Sequence, residues 1–148
     1  MMWLQLLLLG SILVAWTVPA RADLTAARNE KNPEKSYWLA LENADKILTQ
    51  ARENLVEGKL DLLASNLHEI VESVEFARDK LYSTGKSPSR NSKHFKRAEL
   101  KIRDFLRKLQ GLEQTASFEE RPPIEAAKKK LQQIHDDLLL DIMGSRKP

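Results

Sequence analysis

The feature that most constrains the fold of this sequence is a recurrence of apolar side chains at alternating steps of three and four residues. In the first segment that shows it, the apolar positions are Tyr37, Leu41, Ala44, Leu48, Ala51 and Leu55. Three later segments repeat it, at Leu60, Leu63, Leu67, Ile70, Val74, Ala77 and Leu81, at Phe95, Ala98, Ile102, Phe105, Leu109, Leu112 and Ala116, and at Ile124, Ala127, Leu131, Ile134 and Leu138. This average period near 3.5 residues predicts helices that cross at about 20°, as in coiled coils and four-helix bundles.

Residues with strong preferences for helix ends delimit these segments. Asn32-Pro33-Glu34 supplies an N-cap, a proline at N1 and an acid in the first turn. Gly58 suits the left-handed backbone that follows a helix, and Asp61 is expected to be the next N-cap. We therefore predict an all-α protein, with an antiparallel up-down-up-down four-helix bundle over residues 32–144. Residues 23–31 are expected to be a flexible lead-in and residues 145–148 a tail.

The N-terminal 22 residues have the composition of an export signal. An apolar run from Leu6 to Val18 is followed by Pro19 and by Ala20-Arg21-Ala22, directly before Asp23. Small residues at alternate positions after a short apolar run are the pattern that signal peptidase cleaves. We predict a cleaved signal peptide over residues 1–22 and a periplasmic or secreted protein. The alternative is an uncleaved membrane anchor, because the apolar run is almost long enough to cross a bilayer.

Composition and motifs argue against catalysis and against a bound metal or cofactor. The chain has no cysteine, which excludes disulfides, a thiolate nucleophile, cysteine-ligated metals and c-type haem attachment. Di-iron bundles use Glu-x-x-His pairs, whereas Ser65, Asn91 and Gln132 precede the three histidines by three residues. No nucleophile elbow or glycine-rich phosphate loop is present. We expect no catalytic residue, no cofactor and no metal, and the protein is not expected to be an enzyme.

The three histidines are not expected to share a site. His68 and His135 both flank their apolar stripes, where a half-exposed imidazole needs no special role. If their helices face each other across the bundle diagonal, the two side chains differ in height by roughly 9 Å. His94 begins the third helix, at yet another level.

A basic segment is the strongest functional signal in the sequence. Between Lys86 and Lys108 there are nine Lys or Arg residues and only two acids, Glu99 and Asp104. We hypothesise that an anion or an acidic partner binds where the third helix begins, and the candidate residues are Arg90, Lys93, His94, Lys96, Arg97 and Lys101. Candidate partners are a phosphorylated lipid head group, an anionic polysaccharide of the cell envelope, or an acidic protein. Nucleic acid is not expected, because both aromatic residues of the segment are core positions and offer no stacking platform.

Interhelical pairing is the competing explanation of the basic segment. The second predicted helix is acidic in its latter half, at Glu69, Glu72, Glu75 and Asp79. These acids would neutralise the cations if the second and third helices are neighbours, and Glu99–Arg103 and Asp104–Lys108 are i,i+4 pairs. Trp38 is open to two interpretations, as an interface residue or as a cover for the end of the core.

Two functional hypotheses follow from the sequence. The first is a non-enzymatic interaction or structural module that uses its basic segment to bind an anionic partner. The second is a periplasmic carrier that holds a ligand or cofactor inside the bundle. A membrane is expected to be contacted only through an uncleaved leader, and the oligomeric state is left open, since the heptad spacing also permits hairpins of two chains to associate.

Overall fold

A computed structural model of the protein describes residues 24–144, and the predicted signal peptide and tail lie outside this range. The described residues form five α-helices and no strand, so the all-α prediction is confirmed. The helices are α1 (Thr25–Asn29), α2 (Pro33–Val56), α3 (Leu60–Ser83), α4 (Lys93–Thr115) and α5 (Arg121–Met143). None of the helices in this range combines the length and apolar character that a membrane span requires.

The helix ends follow the local sequence closely, with one exception. The side chain of Asn32 accepts a hydrogen bond from the Glu34 amide at 2.9 Å, which confirms the N-cap of α2. Gly58 has φ 70° and breaks the helix as predicted. The predicted N-cap at Asp61 is wrong, because the chain returns to helical geometry directly after Lys59. Asp61 therefore lies in the first turn of α3, where its charge complements the helix dipole.

The segment predicted to be a flexible lead-in contains the short helix α1, which packs against α2. Leu24 and Ala27 are buried in the core. The Ser36 hydroxyl donates a hydrogen bond to the Ala27 carbonyl at 2.6 Å, and Arg28 pairs with Glu72 at 2.9 Å. A helix of five residues is too short to show an apolar period, so the sequence pattern did not reveal it.

The four long helices pair as two antiparallel hairpins. Within the first, Asn43 of α2 donates a hydrogen bond to Ser73 of α3 at 3.1 Å. The second hairpin joins α4 and α5, through contacts such as that between Glu99 and His135.

The hairpins meet through α2 against α4 and α3 against α5, while α3 and α4 barely touch. Tyr37, near the start of α2, contacts His94, near the start of α4, so these two helices run parallel. The expected arrangement, in which α3 neighbours α4 and faces α5 across a diagonal, is therefore wrong.

One continuous apolar core lies between the four long helices. Every residue of the predicted stripes is buried except Leu60, which is exposed at the start of α3. The core also takes in residues that the stripes did not include, among them Ala40, Ile47 and Val71. The apolar spacing of about 3.5 residues therefore predicts which side of each helix faces the core. The buried side of α2 and of α3 is wider than the predicted stripe.

Candidate functional site

The candidate site lies where α4 begins, beside the start of α2. Its six predicted residues fall into two groups. His94, Arg97 and Lys101 each contact a side chain of α2. Arg90, Lys93 and Lys96 are exposed and make no ion pair within residues 24–144, and we call these three residues the free cations.

His94 joins a buried tyrosine to a carboxylate. Its Nδ1 lies 2.9 Å from the Tyr37 hydroxyl and its Nε2 lies 3.1 Å from Glu34 Oε2, while Lys86 pairs with the other oxygen of Glu34. A neutral imidazole protonated at Nε2 satisfies all three groups: the tyrosine donates to Nδ1, and Nε2–H donates to the carboxylate. Tyr37 is 0% exposed, and this chain of hydrogen bonds links α4 to α2.

The charge states of this group follow from its surroundings. Burial raises the pKa of Tyr37 above its ordinary value, so its hydroxyl keeps its proton at neutral pH. The hydrogen bond from Lys86 is the main cause that lowers the pKa of Glu34, and the charges of Lys86 and Lys93 lower it further. Glu34 is therefore a carboxylate that pairs with Lys86 and also attracts Lys93 at longer range, without forming an ion pair with it.

Arg97 stacks on Trp38. Its guanidinium carbon lies 3.7 Å from the centroid of the Trp38 ring, which is a close cation–π contact. The indole Nε1 donates a hydrogen bond to Glu42 at 2.9 Å, and the ring packs against the edge of the core. Trp38 thus covers the core and also holds Arg97 in place, although Arg97 remains exposed.

Lys101 belongs to an ion-pair network between α2 and α4. Its ammonium lies 3.0 Å from Asp45, and that of Lys108 lies 2.7 Å from the same carboxylate. Burial acts to raise the pKa of Asp45, but the hydrogen bonds and charges of the two lysines outweigh it and the pKa is lowered. Lys101 is therefore a structural residue more than an open binding group.

Interhelical pairing does account for several cations of the basic segment, but their acidic partners lie on α2 and not, as predicted, on α3. Lys86, His94, Lys101 and Lys108 pair with acids of α2, not of α3. The two predicted pairs within α4 are present: Arg103 Nε lies 3.0 Å from Glu99, and Lys108 lies 3.0 Å from Asp104. Of the α3 acids, Glu72 pairs with Arg28 and Asp79 with Arg78.

A second polar group lies between α4 and α5, where sequence spacing predicted none. His135 was expected to be half-exposed, but it is 8% exposed, and its Nε2 lies 2.7 Å from an oxygen of Glu99, which is 4% exposed. His135 Nδ1 contacts Asp136 at 3.2 Å. A position beside the α5 stripe therefore lies inside the α4–α5 interface.

The three histidines have separate surroundings. His68 lies on a groove between α3 and α5, His94 at the candidate site, and His135 beside Glu99. Within residues 24–144, no three His, Asp or Glu side chains come together in a way that could hold a metal ion. The start of α4 therefore carries three exposed cations, Arg90, Lys93 and Lys96, that form no ion pair within residues 24–144.

Comparison with known proteins does not assign a family. Models of protein families, curated proteins and solved structures were compared with the chain, and none of them matches it.

Proposed function

We propose that this protein is a non-enzymatic interaction module that binds an anionic partner through the free cations at the start of α4. The proposed scaffold is a four-helix bundle of two antiparallel hairpins, in which α2 lies beside α4 and α3 lies beside α5. The proposal also includes export behind residues 1–22, either to the periplasm or out of the cell. If the leader is retained as an anchor, the module lies at a membrane surface.

The observation that carries this proposal is the division of the basic segment into paired and unpaired charges. Lys86 and Lys101 form ion pairs with acids of α2, whereas Arg90, Lys93 and Lys96 form no ion pair within the described residues, and Lys93 feels Glu34 only at longer range. Unpaired cations near a helix N-terminus oppose the helix dipole and add to the positive potential there. A bound anion would relieve this repulsion and would also meet the free amide groups of the first turn.

The rigidity of the supporting contacts favours binding. Tyr37 and Glu34 hold His94, and Trp38 holds Arg97, so the backbone that carries Lys93 and Lys96 is fixed on both sides. A fixed set of cations loses less conformational freedom on binding than a flexible basic tail. The best match is a multivalent anion, such as phosphorylated lipid head groups, an anionic polysaccharide or an acidic protein surface.

Vesicle binding tests the proposal. We expect binding to vesicles that contain anionic phospholipid and not to vesicles of phosphatidylcholine alone, with binding weakened by salt because exposed charges are screened. Each Lys or Arg near an anionic surface contributes about 1 kcal/mol, so Arg90→Gln/Lys93→Gln/Lys96→Gln should lower the partition coefficient roughly a hundredfold.

A matched variant controls for net charge. Lys46→Gln/Arg52→Gln/Lys129→Gln removes the same charges from exposed positions of α2 and α5. We expect this control to bind within about threefold of the parent, because charges far from the contact are screened. Equal losses in the two triple variants would show a response to net charge alone, and no loss in either would contradict the proposed site.

A further inference from the structure

A separate groove runs between α3 and α5, away from the start of α4. Its cavity has a volume of about 290 Å³. Leu67, Val71 and Ala127 are buried residues that form its floor. Its edges carry the small side chains of Ala64 and Ala126, and these leave space that larger residues would fill.

The charged side chains of this groove are not equivalent. Glu72 is already paired with Arg28 of α1. Glu75 is half-buried and makes no ion pair or hydrogen bond within residues 24–144. An unpaired carboxylate beside an apolar floor is incompletely hydrated, and a cation that reached it would gain more than at an open surface.

We propose that the α3–α5 groove binds a small organic cation with a compact apolar body, as in a primary alkylammonium compound. The apolar body would cover Leu67, Val71 and Ala127, and the ammonium group would pair with Glu75. The volume is at the lower end of the range for ligand cavities, which limits the ligand to a few carbon atoms in addition to its charged group. The site differs from a carrier site inside the bundle, because it opens to solvent along the α3–α5 seam.

The charge of Lys130 provides a way to distinguish a cationic ligand from an anion or a zwitterion. Its side chain lines the same groove from α5 and makes no ion pair within the described residues. A cationic ligand is repelled by Lys130, whereas an anion or a zwitterion is attracted by it. The sign of the effect of a Lys130 variant therefore identifies the charge of the preferred ligand.

Titration followed by amide chemical shifts tests the proposal. Three probes with six carbon atoms and different charges are used: hexylammonium, 1-hexanol and hexanoate. A ligand of this size is expected to bind in the millimolar range. We expect saturable shifts confined to the groove walls, over residues 64–75 and 123–130, with hexylammonium binding about fivefold more tightly than hexanol and hexanoate binding weakest.

Point variants then separate charge from shape. Glu75→Gln should weaken the binding of hexylammonium about fivefold, to the affinity of hexanol. Lys130→Gln should strengthen the binding of hexylammonium about twofold. Ala126→Leu should fill the groove and abolish saturable shifts for every probe. The matched controls are Glu119→Gln and Ala26→Leu, which make the same substitutions at exposed positions outside the groove, and these should leave binding unchanged.

Several results would overturn the proposal. The groove does not select a cation if hexanol binds as tightly as hexylammonium. The same conclusion follows if the Lys130→Gln variant binds hexylammonium more weakly than the parent does. Shifts that move with protein concentration without any probe would show that a second copy of the chain occupies it. Vesicle binding by the free cations does not depend on these outcomes, so the two proposals fail separately.

Discussion

At the scale of single residues, the Glu99–His135 pair is a buried polar contact that stabilises the α4–α5 hairpin only while both partners are present. Removal of one partner leaves the other buried with an incomplete set of hydrogen bonds. We expect Glu99→Leu and His135→Leu each to lower the free energy of unfolding by about 2 kcal/mol, because Glu99 keeps its contact with Arg103 and His135 keeps its contact with Asp136. The double variant should lose clearly less than the sum, because it leaves no orphaned group and adds apolar contact.

Urea unfolding followed by circular dichroism measures these differences. The exposed Arg78–Asp79 pair is the control, and Asp79→Ala should change the free energy of unfolding by less than about 0.5 kcal/mol. Additive losses in the Glu99/His135 cycle would show that the two residues act independently, against the 2.7 Å contact.

The burial of His135 shows that apolar spacing does not predict which residues beside a stripe are buried. Heptad spacing assigns positions to a stripe or to its flanks, but the rotation of one helix against another decides which flank is covered. Glu99 was predicted only as a partner of Arg103, which it contacts, and not as a buried group. Pairs four residues apart on one helix are local, whereas the contact to α5 depends on packing that the spacing does not define.

At the scale of the elements, the α2–α4 contact depends on Asp45. Its pKa in the folded protein lies below the ordinary value of 3.8, so its ion pairs with Lys101 and Lys108 stabilise the fold above that pH and are lost as the pH falls through the lower folded value. We expect Asp45→Asn to lower the free energy of unfolding by about 1 kcal/mol at neutral pH, a modest figure because the carboxylate is partly solvated. The difference from the parent should shrink as the pH falls below roughly 4 and should vanish once the pH lies below the lowered pKa of Asp45 in the folded protein.

Urea titrations across this pH range check the expectation. Glu119→Gln alters an exposed carboxylate and should give a nearly constant offset of less than about 0.5 kcal/mol. A difference between the parent and Asp45→Asn that grew as the pH fell would contradict the sign derived from the lysine contacts.

The elements themselves were largely predictable because their signals are local. Asn32, Pro33 and Gly58 mark helix ends within a few residues of sequence, and the structure places the ends there. Helix α1 was not predictable, since its five residues are held by Leu24 and Ala27 through contacts with α2. The spacing of the apolar stripes likewise predicts the core residues, but it does not determine which helices pack against each other.

In the molecule as a whole, the packing of the helices decides which residues of the candidate site can be predicted from the sequence. All six predicted residues lie where α4 begins or along its first turns, as the sequence indicated. Their partners Glu34, Trp38 and Asp45 were missed because α2, not α3, is the helix beside α4. The sequence predicts Glu34 only as an acid in the first turn of a helix, and the tertiary arrangement shows that it also contacts His94.

This arrangement of neighbours can be tested with a zero-length carbodiimide cross-linker, which joins a carboxylate to a lysine that touches it. We expect amide links from Asp45 to Lys101 and to Lys108, which lie 3.0 and 2.7 Å away, and a link from Glu113 to Lys128 within the α4–α5 hairpin. Mass spectrometry of the digested monomer identifies the linked peptides.

The hairpin link is the internal control, because it forms whichever helix lies beside α4. If α3 were that neighbour, its acids would link to the lysines of α4. Glu75 is the most informative of these acids, since it is half-buried, has no partner within the described residues and is free to react. Asp45→Asn should remove the α2–α4 links and leave the hairpin link intact. A link between Glu75 and Lys93 or Lys96 would place α3 beside α4, and the exposed cations would then have an acidic partner within the fold itself.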